Sequence, residues 1–266
     1  MTSAGRSITE HGKSLRLARI ATPSGARAVR WAQDRWIGVR HHRDPFVTTG
    51  EEFDVDSQLL APVEPRVLVG VMHNSDPEAG GRPMRAFLKS PRTIVEPGGA
   101  IEVPRVGAAL AGEGEIALVV GDHIHNLTAA SARSRILGWT LANDATLTAE
   151  SGEDGTLLRA KGGAGLTPLG PWVSTGPLPQ EIRVRVDGTL VAAGHVAHMA
   201  RDPYEVVAAL SQIMPLGPGD VVMTGAPGTT VTLGVGARIA IEANGMAELA
   251  SNVRYTFDVD TGNMSH

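Results

Sequence analysis

Gly112-Glu113-Gly114-Glu115-Ile116-Ala117-Leu118-Val119-Val120-Gly121 is the stretch on which the reading turns, together with Asn143-Asp144 further along the chain. Ile116 to Val120 is short, apolar, rich in β-branched residues and stopped by glycine, so it predicts a buried strand. Alternate residues of a strand share a face, roughly 7 Å apart at about 3.3 Å rise per residue, so Glu113 and Glu115 lie side by side. Two carboxylates so placed repel, and a cation or a proton is expected between them. Asp144 closes a second apolar run, Ile136 to Leu141. If that run pairs with the first, three oxygen ligands converge with no His or Cys, a donor set for a hard divalent ion such as Mg²⁺ or Mn²⁺. A Glu-x-Glu pair on the solvated face of a strand is the structural alternative.

The surrounding blocks bear on the choice. After Glu113-Gly-Glu115 and Asn143-Asp144 come Lys161, then Thr167-Pro-Leu-Gly-Pro-Trp172, then Leu216-Gly-Pro-Gly-Asp-Val-Val-Met-Thr224-Gly-Ala-Pro227. In this order the chain resembles the fumarylacetoacetate hydrolase family from about Pro65 to Val259. The resemblance implies a β-rich α+β fold, a mixed β-sandwich or roll with few short helices. It implies Mg²⁺ or Mn²⁺ held by Glu113, Glu115 and Asp144. It also implies that Lys161 stabilises a developing oxyanion, and that Thr224 and Gly225 contact substrate oxygens. Phe87-Leu-Lys89-Ser90 is similar to the family's Phe-Leu-Lys-Pro, which places Lys89 at the substrate. Relatives act on 2-oxo acids and β-dicarbonyl acids through a metal-bound enolate. C–C bond hydrolysis is the first expectation; a lyase, decarboxylase or tautomerase is the second, and a catalytically silent binding protein the third. The resemblance also implies a homodimer.

Three departures from the family pattern bear on the reaction. Leu147-Thr148 stands where hydrolases commonly carry Ala-Arg-Asp, and Gly162-Gly-Ala-Gly165 stands for polar and aromatic residues. Where relatives have a lid His followed by Glu, this chain has Asp76, with His73 three residues earlier. His73 opens a loop, Asn74 to Pro83, with the composition of a mobile lid. Imidazole switches protonation near neutral pH, so His73 is expected to be the general acid/base, oriented by Asp76 or Glu78. The glycines at 162, 163 and 165 suggest a roomier pocket and a bulkier substrate.

Composition sets the frame. With 266 residues the chain can hold one large core, or a catalytic domain with a smaller one. The expected layout is a tail over 1–13, a small β subdomain over 14–60, a catalytic domain over 61–260 and a tail over 261–266. A net charge of −4 offers no footprint for nucleic acid. The absence of cysteine excludes disulfides and thiol catalysis and fits a reducing cytoplasm. No apolar run approaches the roughly 20 residues that span a bilayer. Thr128 to Arg135 reads as a short capped helix. Asp202-Pro-Tyr-Glu205 starts a second, whose Val206, Val207, Leu210, Ile213 and Met214 form an apolar stripe. Asp187-Gly188 and Asn244-Gly245 mark hairpins. His41, His42, His195 and His198 read as ordinary polar residues.

Overall fold

The computed structural model describes residues 9–10, 13–104, 109–150 and 154–256, so most of the expected tails lies outside the described residues. The strand predicted at Ile116–Val120 runs from Leu110 to Val120 and is the centre of the molecule. It pairs antiparallel with Ile136–Asn143 on one side and Val221–Met223 on the other. Beyond Val221–Met223 the large sheet continues to Leu68–Met72, which is parallel to it, and then to Arg85–Lys89. Beyond Ile136–Asn143 it continues through Thr167–Ser174 to the N-terminal strands Arg16–Ile20, Arg27–Ala32, Arg35–Val39 and Thr48–Phe53. These N-terminal strands have an apolar cluster of their own around Ile20, Val29, Trp36 and Trp172, and they join the large sheet through the Arg16–Ile20 strand. A second sheet contains Ala100–Val103, Leu249–Tyr255, Arg238–Ala243, Glu181–Val186 and Thr189–His195.

The alternation along the central strand explains how the sheets meet. Gly112, Gly114, Ile116, Leu118 and Val120 face one way. A Cβ at Gly114 would lie 2.9 Å from Val184 Cγ2, and one at Gly112 would lie 2.7 Å from Ile239 Cδ1, so glycine lets the second sheet approach closely. Val184, Ile239 and Ile241 then join Ile116 and Leu118 in the main core. Glu113, Glu115, Ala117 and Val119 face the other way; Ala117 and Val119 pack with Leu68, Phe87 and Met223. The carboxylates therefore stand on the face opposite the second sheet, at the end of the strand where that apolar packing stops.

Helical content is small. The helix Pro203–Ile213 has the predicted capping box, with Asp202 accepting from the Tyr204 amide and Glu205 accepting from the Asp202 amide. Val206, Val207 and Leu210 are buried, whereas Ile213 is 67% exposed: the helix ends there and its last residue turns away from the sheet. Ala129–Ala132 forms one turn that tightens to 3-10 geometry over Arg133–Arg135, without a side-chain cap from Thr128. Asp187 and Gly188, both at positive φ, make the expected hairpin turn. After Asn244-Gly245 the returning strand begins only at Leu249. Among the described residues no helix is long and apolar enough to cross a membrane.

Candidate active site

The central strand and its partner bring the three acids together. Glu115 pairs in register with Ala142, and the Asp144 amide donates to the Glu113 carbonyl at 3.0 Å. Asn143 Oδ1 accepts from the Glu113 amide at 2.9 Å and fixes the strand where it passes the site. One carboxylate oxygen from each of Glu113, Glu115 and Asp144 lies within 4.8 Å of the others. Glu115 and Asp144 are buried, and Glu113 reaches solvent at the mouth. Three convergent carboxylates without nitrogen or sulfur donors suit a hard divalent cation.

Two lysines face the acids from opposite sides. Lys161, at the end of the short helix Leu158–Lys161, places Nζ 2.5 Å from Asp144 Oδ2 and 3.1 Å from Glu113 Oε2. The same ammonium sits 4.6 Å from the centre of the Phe87 ring. Burial pulls its pKa down, but Asp144 and Glu113 outweigh burial, so Lys161 is held above its usual range as a cation. Lys89 ends the Arg85–Lys89 strand and is wholly buried behind Asp144. Its Nζ donates to Asp144 Oδ1 at 2.7 Å and to the Leu166 carbonyl at 2.7 Å, with the Ala145 carbonyl at 3.4 Å. For Lys89 burial wins and lowers the pKa. At Asp144 burial raises the pKa, but Lys89 and Lys161 together bring it below the usual carboxylate range. Glu115 goes the other way: burial first, then Asp144 and Glu113, push it well above that range, although the Gly225 amide donates to its Oε2 at 2.7 Å. The charge expected between the acids is thus present at Asp144, while Glu115 carries the unrelieved repulsion.

These groups open into a cavity of about 300 Å³. Besides the acids and Lys161 its wall includes His73, Asn74, Phe87, Thr146, Leu157 and Thr230. His73 and Leu157 both hold left-handed backbone, each with φ 59°. This conformation is uncommon outside glycine and an outlier for leucine, and such strain collects at ligand sites.

The expected site residues divide by position. Glu113, Glu115, Asp144, Lys161, His73 and Gly225 meet at the cavity. Lys89 does not line it; its ammonium is spent on Asp144 and the main chain. Thr224 is fully buried, and its hydroxyl donates to the Ile116 carbonyl at 2.9 Å. Gly225, by contrast, turns at φ +99° and aims its amide at Glu115, and a Cβ there would lie 2.8 Å from Asn74 Cβ. Asp76 caps the 3-10 turn Pro77–Gly81 by accepting from the Glu78 amide. The loop expected to be mobile is anchored. Asn74 Nδ2 donates to the Thr224 carbonyl at 2.8 Å and its Oδ1 accepts from the Arg201 amide at 2.9 Å. Arg201 in turn donates to the carbonyls of Gly80 and Arg82.

The glycines at 162, 163 and 165 line no part of the cavity. A Cβ at Gly165 would lie 2.1 Å from the Ala100 carbonyl and one at Gly162 would lie 2.5 Å from the Leu158 carbonyl, so backbone packing, not pocket volume, requires these two, whereas one at Gly163 would meet only the Leu166 side chain, at 3.0 Å. Sequence reasoning missed Thr146 and Thr230, whose hydroxyls approach Glu113 Oε2 and Oε1 at 3.3 Å each, and the structural part of Asn74. The only signal for the threonines was their place beside strand ends that bear on the acids.

Comparison with known proteins agrees with this geometry. Residues 38–254 match the C-terminal fumarylacetoacetate (FAA) hydrolase family. Protein Rv2993c of Mycobacterium tuberculosis is 32% identical over 264 residues, covering 90% of this chain and 98% of that protein. The crystal structure of a 5-carboxymethyl-2-hydroxymuconate delta-isomerase from Mycobacterium smegmatis superposes with TM-score 0.84 at 30% identity, covering 91% of this chain and 100% of that one. The fumarylacetoacetate hydrolase of Exiguobacterium antarcticum superposes with TM-score 0.80 at 25% identity, over 91% and 100% of the two chains. On its acids, its fold and these matches, the chain belongs to the fumarylacetoacetate hydrolase family.

Proposed function

We propose that this protein is a divalent-metal-dependent enzyme that enolises 2-oxo acids and returns the proton elsewhere on the same molecule, an isomerase in outcome. The observation that carries the reading is the triad of Glu113, Glu115 and Asp144 within 4.8 Å, faced by Lys161 across hydrogen-bond distance of two of them. A bound Mg²⁺ or Mn²⁺ would supply Lewis acidity to a chelated 2-oxo acid. The chain's own groups do the rest. Lys161 is held as an ammonium and donates to the substrate oxygen on which negative charge grows. Lys89 and the Gly225 amide fix the orientation of Asp144 and Glu115. Thr146 and Thr230 do the same for Glu113. Phe87 and Leu157 supply an apolar wall. His73 takes the proton from the carbon beside the keto group and gives it back.

Isomerisation is preferred to hydrolysis because of where Asp76 lies. Activating water calls for a base oriented by an acid. Asp76 Oδ1 accepts from the Glu78 amide and Glu78 pairs with Arg82, and among the described residues no side-chain hydrogen bond joins either acid to His73. The Mycobacterium smegmatis structure, named as an isomerase, supports the same reading. Hydrolytic C–C cleavage is the second reading, supported by the likeness to the Exiguobacterium hydrolase. Acetylpyruvate separates the two. Isomerase chemistry gives metal-dependent keto–enol interconversion in the ultraviolet without release of pyruvate. Stoichiometric pyruvate and acetate would establish hydrolysis instead. We take the active species to be a homodimer, which light scattering at micromolar concentration tests; a monomer mass would end that part.

A further inference from the structure

The charges around the cavity specify more than a 2-oxo group. Both lysines beside the triad are already committed, Lys89 to Asp144 and the Leu166 carbonyl, and Lys161 to Asp144 and Glu113. A second carboxylate on the substrate would find no further lysine or arginine on the wall among the described residues. An unpaired charge in such a site is expensive. Away from the acids one part of the wall is apolar, built from Val71, Met72, Phe87, Leu157 and Ala226, and the rest is uncharged polar or imidazole, with His73, Asn74, Ser75 and Thr148. Leu157 is the informative member. It keeps a left-handed backbone that leucine seldom adopts, on the turn that leads into the helix bearing Lys161, and like Met72 it packs against the cluster that contains Phe87. The volume, about 300 Å³, is at the small end for ligand pockets.

Building on the 2-oxo acid reading above, we propose that the site selects compact acids with one carboxylate, at the 2-oxo end, and an uncharged apolar tail that rests on Leu157. Dicarboxylates are excluded by charge rather than by size. This replaces the bulky substrate suggested by the glycines at 162–165.

The test is calorimetry of the Mn²⁺-loaded protein at pH 8, above the ordinary range of an imidazole. The probes are pyruvate, 5-methyl-2-oxohexanoate and 2-oxoglutarate; the last two match in length, with an isopropyl group in place of the distal carboxylate. The proposal expects 5-methyl-2-oxohexanoate to bind at least tenfold tighter than 2-oxoglutarate. Leu157→Ala should weaken 5-methyl-2-oxohexanoate severalfold and leave pyruvate unchanged. Leu157→Arg should shift the ratio toward 2-oxoglutarate while Mn²⁺ affinity stays the same. If 2-oxoglutarate binds wild type as tightly as its apolar analogue, the proposal fails and the 2-oxo acid reading stands. If Leu157→Ala weakens pyruvate and the long acid alike, Leu157 does not carry the tail. If none of the three acids binds, the 2-oxo acid reading fails and takes the proposal with it.

Discussion

Glu115→Gln should make the metal-free protein more stable and unable to bind metal. Glu115 is buried, and its oxygen lies within 4.8 Å of an oxygen of both Asp144 and Glu113. With an effective dielectric constant of about 20, each like-charge pair at that distance costs about 3.5 kcal/mol. Lys89 and Lys161 offset much of the two repulsions and leave a net cost of about 2 kcal/mol at neutral pH. Glutamine keeps the shape and can still accept from the Gly225 amide. The pH dependence follows from the raised pKa of Glu115. The unfolded chain loses this proton near 4.5 and the folded protein loses it at higher pH, so between the two values folding takes up a proton. Stability from this group therefore falls as pH rises through that window, and below about 4.5 the penalty is absent. In EDTA at pH 8 the variant should melt about 4–8 °C above wild type, taking about 2–4 °C per kcal/mol for a domain of this size. The gain should shrink toward zero near pH 4.5. Added Mn²⁺ at about a hundred times its Kd should stabilise wild type by about 2.7 kcal/mol and the variant by nearly nothing. A variant no more stable than wild type at pH 8, or a gain independent of pH, would refute the argument that repulsion among the acids dominates the empty triad.

The other residues give sharper contrasts. Lys89→Met strips a buried partner from Asp144 and should cost about 3–5 kcal/mol in denaturant unfolding at pH 7. Because the Asp144 pKa is depressed, the ion-pair part of that loss should fade as pH drops below the usual carboxylate range; an equal loss at acid pH would mean packing alone. Lys161→Met should lower kcat about a hundredfold or more with Mn²⁺ affinity largely kept, and an unchanged kcat would remove Lys161 from the chemistry. His73→Gln keeps hydrogen bonding without titration; a fall in kcat of about 10²- to 10⁴-fold and a flattened pH–rate profile are expected, and full activity with the original profile would exclude it as the proton carrier.

What the sequence made legible is local or periodic. Alternation placed Glu113 and Glu115 on one face, and the run ending at Asp144 supplied the third acid. Capping chemistry marked Asp202, and turn chemistry marked Asp187-Gly188. What stayed hidden depends on contacts far apart in the chain. Lys89 looks like a substrate contact in its motif, yet the strand end carries it behind Asp144, 55 residues away. The loop after His73 has the composition of a lid, but Asn74 ties it to Thr224 and Arg201, 150 and 127 residues on. Gly165 reads as missing bulk and is instead demanded by the main chain of Ala100. Composition cannot report such pairings, because each needs the sheet order before the partner is known.

The central claim, that the triad and Lys161 exist to make a 2-oxo acid give up a carbon-bound proton, is tested most directly by hydrogen exchange. The protein would be incubated with 2-oxobutanoate in D₂O with and without Mg²⁺, and loss of the C3 proton signal followed by NMR. The account predicts Mg²⁺-dependent deuterium uptake at C3 well above the protein-free rate, abolished by chelation and by Glu115→Gln. A protein that binds Mg²⁺ and 2-oxobutanoate without promoting exchange, or exchange that survives both chelation and Glu115→Gln, would contradict it.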